Sequence, residues 1–474
     1  MAVATFVLGL VVFVVILIVS VAWHELGHLI PAKLFKVPVS QYMVGFGPTA
    51  WSKRVGETEY GIKWILLGGY IRMIGMYSPK RSPRAAKTGW RANLADAARE
   101  ATREELAEAT QEMGTVPVSG EPETGTVPIS AGASAAEQGA GTVRTASGKG
   151  GVAAASVAAR AYYNQSAPRK LVIMLGGPTM NLILALFLAV LALSAVGVYQ
   201  YSTVISSVTP CVTADGTAPE ECGPDTLTTP ARAAGLEPGD KIVGWDGHPV
   251  RDWDEFLGLV STAPAEPTAI TVERDGSLLA LTITPLRVGE GTGAARSLVG
   301  VTAGSLELAK RPVAEVPGVL WNQIVASVKL YANLPVSVWN VAVDLIQGNE
   351  RDPNSPTSIV GIARVSGEVG SIQTDDPSID ENRVRWGTWL QLGASINIAL
   401  WLFNLLPLLP LDGGHVVNAL YEGGRRTWAK LRRQPLPGPA DSARLMPLTY
   451  VVVGLLILMT VILVVADVMM PYRY

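Results

Sequence analysis

Four long apolar runs stand out along this chain. They cover about Ala2 to Phe35, Leu171 to Val198, Leu390 to Leu420 and Leu445 to Met469. Each meets the roughly 20 residues that a helix needs to span a bilayer. The pattern predicts an α-helical polytopic membrane protein with four transmembrane helices, at 1–36, 169–198, 390–420 and 445–470. The first run has no charged n-region, is too long for a signal-peptide core, and ends in a His-Glu pair instead of a small-residue cleavage site. It is therefore expected to stay in the protein.

The texture between the runs differs from block to block. Residues 37–77 alternate aromatic and branched residues with Gly turns, which predicts a membrane-associated β-region. Residues 78–168 are rich in Ala, Gly, Ser, Thr and Glu. They read as a low-complexity insertion with one helix near Asn93–Met113 and linker elsewhere. Residues 199–305 predict a compact β-rich domain. In it Lys241–Trp245 is a strand, Asp246–Val250 a hairpin, Trp253–Val260 a short helix, and two strands meet at Asp275-Gly276. Residues 306–389 read as a helical and loop linker, with one amphipathic helix over 315–347 that includes Trp321, Ile324, Val328, Leu330 and Trp339. Residues 421–444 form a basic loop.

Charge adds orientation. Lys33, Lys36, Lys53, Arg54, Lys63 and Arg72 follow the first run, Arg169 and Lys170 precede the second, and Arg425, Arg426, Lys430, Arg432 and Arg433 lie between the third and fourth. The positive-inside rule makes these blocks cytoplasmic. Both termini and residues 199–389 then lie outside, in the plasma membrane of the cell. The formal net charge is only −2, so nothing in the balance supports nucleic-acid binding. Cys211 and Cys222 are too few for a Cys-based zinc site or a disulfide scaffold. They leave a short disulfide loop or two thiols as open choices.

The chemistry concentrates at Trp23–His28, which reads W-H-E-L-G-H. Residues four apart share a helix face, so His24 and His28 can turn both imidazoles to one metal ion, with Glu25 in reach as general base. Three ionisable groups in an apolar span are costly unless they are functional or paired. A catalytic Zn2+ needs a third protein ligand and an open position. Asp412 is the acidic residue within the apolar core of the third run, where Pro407 and Pro410 break the helix. His415 is its rival, or a residue behind the ligands. A non-catalytic scaffold would need no base beside the metal, and a transporter would be expected to show internal repeats.

The chain resembles the site-two protease family of intramembrane zinc metalloproteases, in its bacterial PDZ-containing branch. The resemblance rests on H-E-L-G-H at 24–28, G-F-G-P at 45–48, L-G-G-Y-I at 67–71, G-G-P-T-M-N at 176–181, a PDZ-like stretch within 199–305, and N-L-L-P-L-L-P-L-D-G-G at 404–414. It implies one zinc per chain, held by His24, His28 and Asp412, with Glu25 as catalytic base. It implies that Gly68, Gly69, Tyr70 and Asn404 bind an unwound substrate segment. Pro178 and Asn181 match a motif beside the site, with helix packing as the alternative for Asn181. It further implies single-span membrane substrates, such as anti-sigma factors or remnant signal peptides. An upstream site-one-type protease would act first, and the PDZ-like domain would screen by size or bind peptides. His248 reads as a surface residue. The long insertion is not accounted for by the resemblance.

Overall fold

The computed structural model describes residues 2–77, 90–114, 157–213, 216–219, 221–224, 226–288, 296–349, 351–352, 355–374, 376–377, 379–440 and 445–470. The expected linker segments at 78–89 and 115–156 lie outside the described residues. Two compact units form. One comprises 1–189, 317–371 and 389–474, and the other 190–316 and 372–388.

The first unit begins with α1 (Ala2–Leu34), a 33-residue helix. At 1.5 Å per residue it is about 50 Å long, which exceeds the apolar thickness of a bilayer. A β-hairpin follows, β1 (Val39–Val55) and β2 (Thr58–Met73). Both strands bend midway. Residues 41–44 therefore pair with 59–62 on one side, and residues 39–44 pair with 69–73 on the other, so that Met43 faces both Gly61 and Tyr70. The hairpin is in effect a four-stranded sheet in the order 49–55, 58–65, 39–44, 69–73. Gly45 and Gly47, with φ of 97° and 80°, permit the bend in β1. Among the described residues, 69–73 have a strand partner on one side only.

The insertion contributes α2 (Trp90–Gly114). It docks on the sheet through Arg72, whose Nε donates to Glu105 Oε1 at 3.2 Å. Ala109 of α2 also packs with Ile74 and Val157, the latter in a helical turn at 157–160 (α3). Next comes α4 (Ala167–Val190), continued by a π-helical turn over Leu191–Val196.

The second unit is β-rich. Its strands are β3 (Val198–Tyr201), β4 (Ile205–Val208), β5 (Cys211–Val212), β6 (Leu227–Thr228), β7 (Lys241–Trp245), β8 (His248–Pro249), β9 (Thr268–Arg274), β10 (Ser277–Ile283), β11 (Leu286–Val288), β12 (Arg296–Leu298), β13 (Val301–Ala303) and β14 (Leu306–Ala309). Four form one sheet in the order β10-β9-β7-β8, and the others pair two by two. Two short helices, α5 (Pro230–Ala233) and α6 (Trp253–Thr262), complete the unit. Its core gathers Ile242, Trp245, Trp253, Phe256, Ile270 and Ile283. Asp246-Gly247 and Asp275-Gly276 both have positive φ, the conformation a tight two-residue hairpin turn requires. Cys211 and Cys222 are joined by a disulfide, so neither is a free thiol.

The chain then returns to the first unit. The amphipathic stretch at 315–347 is two helices instead of one, α7 (Val316–Ala332) and α8 (Leu334–Gln347). Pro335 has no N–H to continue α7, yet its fixed φ suits the first turn of α8. Helix α9 (Ile359–Gly370) lies against α1, where Ser366 Oγ donates to Gly9 O at 2.8 Å. Gly9, Gly367 and Gly370 let these two backbones touch.

Three helices among the described residues are long and apolar enough to cross a membrane: Val3–Leu34, Ala167–Val196 and Met446–Met469. The segment expected as a single third span at 390–420 is divided. Helix α10 (Glu381–Asn404) ends at Asn404, and α11 (Asp412–Leu431) starts at Asp412. Pro407 and Pro410 interrupt the ladder between them. The basic loop expected at 421–444 starts later, because α11 runs through Tyr421 to Leu431; residues 434–440 have no regular structure, as expected. Helix α12 (Met446–Met469) closes the unit and packs Leu463 and Ala466 on Val338 and Val341 of α8.

Candidate metal centre

His24 and His28 leave the same face of α1 one turn apart. Asp412, the first residue of α11, meets them. His24 Nε2 and His28 Nε2 each lie 3.2 Å from Asp412 Oδ2, and the two Nε2 atoms are 3.2 Å apart. A four-coordinate ion with metal–ligand bonds of about 2.0–2.1 Å holds its ligand atoms about 3.3 Å from one another. The three edges of the triangle match that spacing.

The outer hydrogen bonds decide what the triangle presents. His28 Nδ1 is 2.7 Å from the carbonyl oxygen of Ile173. A carbonyl only accepts, so Nδ1 carries the proton and Nε2 offers a lone pair. His24 Nδ1 is 3.2 Å from the side-chain amide nitrogen of Asn181, and Asn181 Oδ1 is buried without a partner. Turning this amide by half a turn puts its oxygen on His24 Nδ1–H and satisfies both groups. Two neutral ring nitrogens and one carboxylate oxygen then aim lone pairs at a single point, and Asp412 Oδ2 has no hydrogen-bond donor there. A cation at that point relieves the repulsion. The donor set therefore fits a divalent ion that favours nitrogen and oxygen ligands.

Close helix packing holds the triangle in place. A Cβ on Gly27 would sit 2.3 Å from Gly176 O, and one on Gly176 would sit 2.0 Å from Gly27 O. Helices α1 and α4 therefore cross backbone to backbone. One residue further, a Cβ on Gly177 would lie 2.3 Å from His28 Nε2. On the opposite side, Gly413 and Gly414 sit against the backbone of Leu405, Leu406, Leu408 and Leu409, too close for any side chain. That contact seats Asp412 at the helix start.

A cavity of about 360 Å³ opens onto the triangle. Glu25 lines it beside the two histidines, and the backbone amide of Ile71 interacts with the Glu25 carboxylate. Gly69, Tyr70, Ile71 and Met73 of the sheet edge form another wall, and Asn404, Leu411 and His415 a third. Not every expected site residue reaches the cavity. Gly68 faces the Phe46 ring, where a Cβ would come within 2.4 Å. Pro178 is buried inside α4. Asn181 stands behind His24. His415 lines the cavity but is not one of the three residues whose donor atoms cluster.

A family model described as Peptidase family M50 matches residues 12–436. The chain belongs to peptidase family M50. This is the site-two protease family. Its similarity to zinc metalloprotease Rip1 of Mycolicibacterium smegmatis is 29% identity over 482 residues, with 98% of each chain covered. Rip1 of Mycobacterium tuberculosis is 27% identical over 491 residues, with 99% of each chain covered. Zinc metalloprotease RasP of Geobacillus kaustophilus is 25% identical over 441 residues, covering 88% of this chain and 90% of that protein.

Gly27, Gly176 and Gly177 of this M50 peptidase stand inside H-E-L-G-H and G-G-P-T-M-N, but as sequence they carry no role of their own at the site. Their contribution is the absence of a side chain. The signal available was the Gly-Gly pair in G-G-P-T-M-N, inside a helix that has no turn to justify it. Ile71 and Met73 also line the cavity, close in sequence to Gly69 and Tyr70, but have no polar side-chain group to draw attention.

Proposed function

We propose that this M50 peptidase hydrolyses peptide bonds of single-span membrane proteins at a zinc centre set within the membrane. His24 Nε2, His28 Nε2 and Asp412 Oδ2 would hold the ion. Bound there, zinc supplies Lewis acidity, which makes water a stronger acid and polarises a peptide carbonyl. Glu25 is the general base. Its carboxylate takes a proton from the attacking water and returns it to the departing amide nitrogen. Asn181 and the Ile173 carbonyl keep both imidazoles in the ligating tautomer through the reaction.

The substrate enters as a strand. A helical segment has every peptide group bonded to itself, so hydrolysis requires local unwinding, and unwound backbone in the membrane needs new partners. Residues 69–73 offer an open sheet edge along the wall of the metal cavity. Gly69 and Tyr70 would align the substrate backbone, and Asn404 would bond to it from the other wall. Gly68 acts through the bend that places this edge.

For topology, the reading is four crossings. They are α1, α4, α12 and a divided one built from the apolar part of α10 and the start of α11. The basic blocks put the sheet and α2 on the cytoplasmic side, and both termini outside with residues 199–389. The β-rich unit at 199–305 would be a PDZ-like screen, admitting substrates already trimmed by a first protease; anti-sigma factors and remnant signal peptides are the substrate classes that fit.

One observation carries the proposal: an open strand edge and a metal-spaced His-His-Asp triangle share one cavity with a buried carboxylate. The test is cleavage of a model single-span substrate in liposomes by the wild type and by Glu25→Gln, with bound zinc measured in both. Loss of a general base slows a reaction by about 10²–10⁴-fold. Zinc content should be unchanged. Equal cleavage by both proteins, or none by a zinc-loaded wild type, rejects the proposal.

A further inference from the structure

Helix α11 has a second face that the metal centre does not use. Its buried side carries His415, Ala419, Glu422 and Ala429. At 100° per residue, Val417, Leu420, Tyr421, Trp428 and Leu431 fall within one stripe about 100° wide on the opposite side. All five are exposed, Tyr421 by 60%, Trp428 by 57% and Leu431 by 76%. Nothing among the described residues covers them.

The flank of this stripe is basic. Arg425 stacks over the Tyr421 ring at 5.5 Å from its centroid, and Arg432 over the Trp428 ring at 4.4 Å. Arg433, just past the helix end, is exposed as well. The two carboxylates of α11, Asp412 and Glu422, lie on the other face. Glu422 pairs there with Lys170 at 2.8 Å and Arg426 at 3.0 Å. Among the described residues no carboxylate pairs with Arg425 or Arg432. An apolar stripe edged by aromatic rings and by guanidinium groups that no described carboxylate neutralises suits a lipid interface whose headgroups are anionic.

We propose that this face of α11 seats an anionic phospholipid. Acyl chains lie along Val417, Leu420 and Leu431, and the headgroup phosphate is held by Arg425 and Arg432 between Tyr421 and Trp428. A guanidinium lying over a ring face keeps N–H groups that can donate to phosphate oxygens. A protein partner or a second copy of this chain would have to supply acidic groups to the same flank, and α11 itself shows none to spare.

The test uses the full chain in liposomes of phosphatidylcholine in which three lipids in ten are brominated. In one arm these are phosphatidylglycerol, in the other phosphatidylcholine. Bromine quenches nearby tryptophan, and subtracting the Trp428→Phe variant isolates Trp428. Two basic groups at an anionic surface give a preference of about thirtyfold, equivalent to about 2 kcal/mol. At that preference about nine sites in ten would hold the anionic lipid, so it should quench Trp428 about threefold more than the zwitterionic one. Arg425→Gln/Arg432→Gln should bring the ratio to one, and Arg425→Lys/Arg432→Lys should retain most of it. Equal quenching by both lipids in the wild type overturns the proposal. So does a preference that survives the Gln pair, or a Trp428 that neither lipid quenches, which would mean that a protein covers this face. None of these readouts depends on catalysis, so failure here leaves the peptidase reading standing.

Discussion

Gly177→Ala should abolish metal binding by adding a single methyl group. The new Cβ would sit 2.3 Å from His28 Nε2, 2.7 Å from His28 Cε1 and 2.8 Å from His24 Cε1. Non-bonded heavy atoms settle at about 3.5–4.0 Å, so the imidazoles or α4 must move by roughly 1 Å. Metal–ligand distances tolerate only about 0.2 Å. Neither neighbour can yield freely. His28 is tied to Ile173 O on the same helix α4, and α1 and α4 already touch at Gly27 and Gly176. Lost outer hydrogen bonds alone cost about 10–100-fold in metal affinity, and a displaced ligand should exceed the upper figure. Helix propensity acts in the opposite direction, since Ala is better than Gly in a helix by about 1 kcal/mol. A loss of metal therefore cannot be blamed on a weakened helix. Gly424→Ala in α11, where the added Cβ meets nothing within 4 Å, is the matched control. The assay is zinc retained against a competing chelator, with the thermal midpoint of each protein recorded alongside. Wild-type zinc retention and wild-type cleavage in Gly177→Ala would refute the packing argument and, with it, the placement of α4 against the ligands.

Two further outcomes follow from named contacts. Asn181→Leu removes the amide beside His24 while keeping the branched heavy-atom outline, and should weaken zinc binding by about 10–100-fold; unchanged affinity would make Asn181 helix packing only. In the β-rich unit, hydrogen bonds from Arg274 hold the buried Asp240 carboxyl below its ordinary value. A depressed carboxyl stabilises the fold above its unfolded-state pKa, and that stabilisation is lost as pH falls through the folded value. Arg274→Ala should therefore lower the melting temperature at pH 7, and the gap from wild type should close below about pH 4; a gap independent of pH would assign the effect to packing.

Side chains that carry polar chemistry were legible as candidates in the sequence, and residues that contribute only room at an interface were not. His24, Glu25 and His28 declare themselves because helix periodicity puts them on one face and because ionisable groups are out of place in an apolar run. Asp412 could be nominated by the same anomaly, although the pairing of α11 with α1 is a long-range fact that no local pattern encodes. The limits show where local rules compete. Pro407 and Pro410 correctly announced a break in the third apolar run. They gave no hint that helix resumes at Asp412 and passes through a basic segment that hydropathy alone reads as a loop. Pro335 had the same ambiguity, ending one helix while starting the next. The hairpin at 39–73 alternates as strands should, but its double pairing depends on where each strand bends, and an edge at 69–73 exists only once residues 41–44 have taken partners on both sides. Glycines 27, 176 and 177 are the extreme case. A glycine in a helix lowers helix propensity wherever it occurs, so its sequence context says only that something compensates. Here the compensation is the room that two imidazoles and two crossing backbones require. That requirement belongs to α1 and α4 jointly, which is why neither segment read alone could state it.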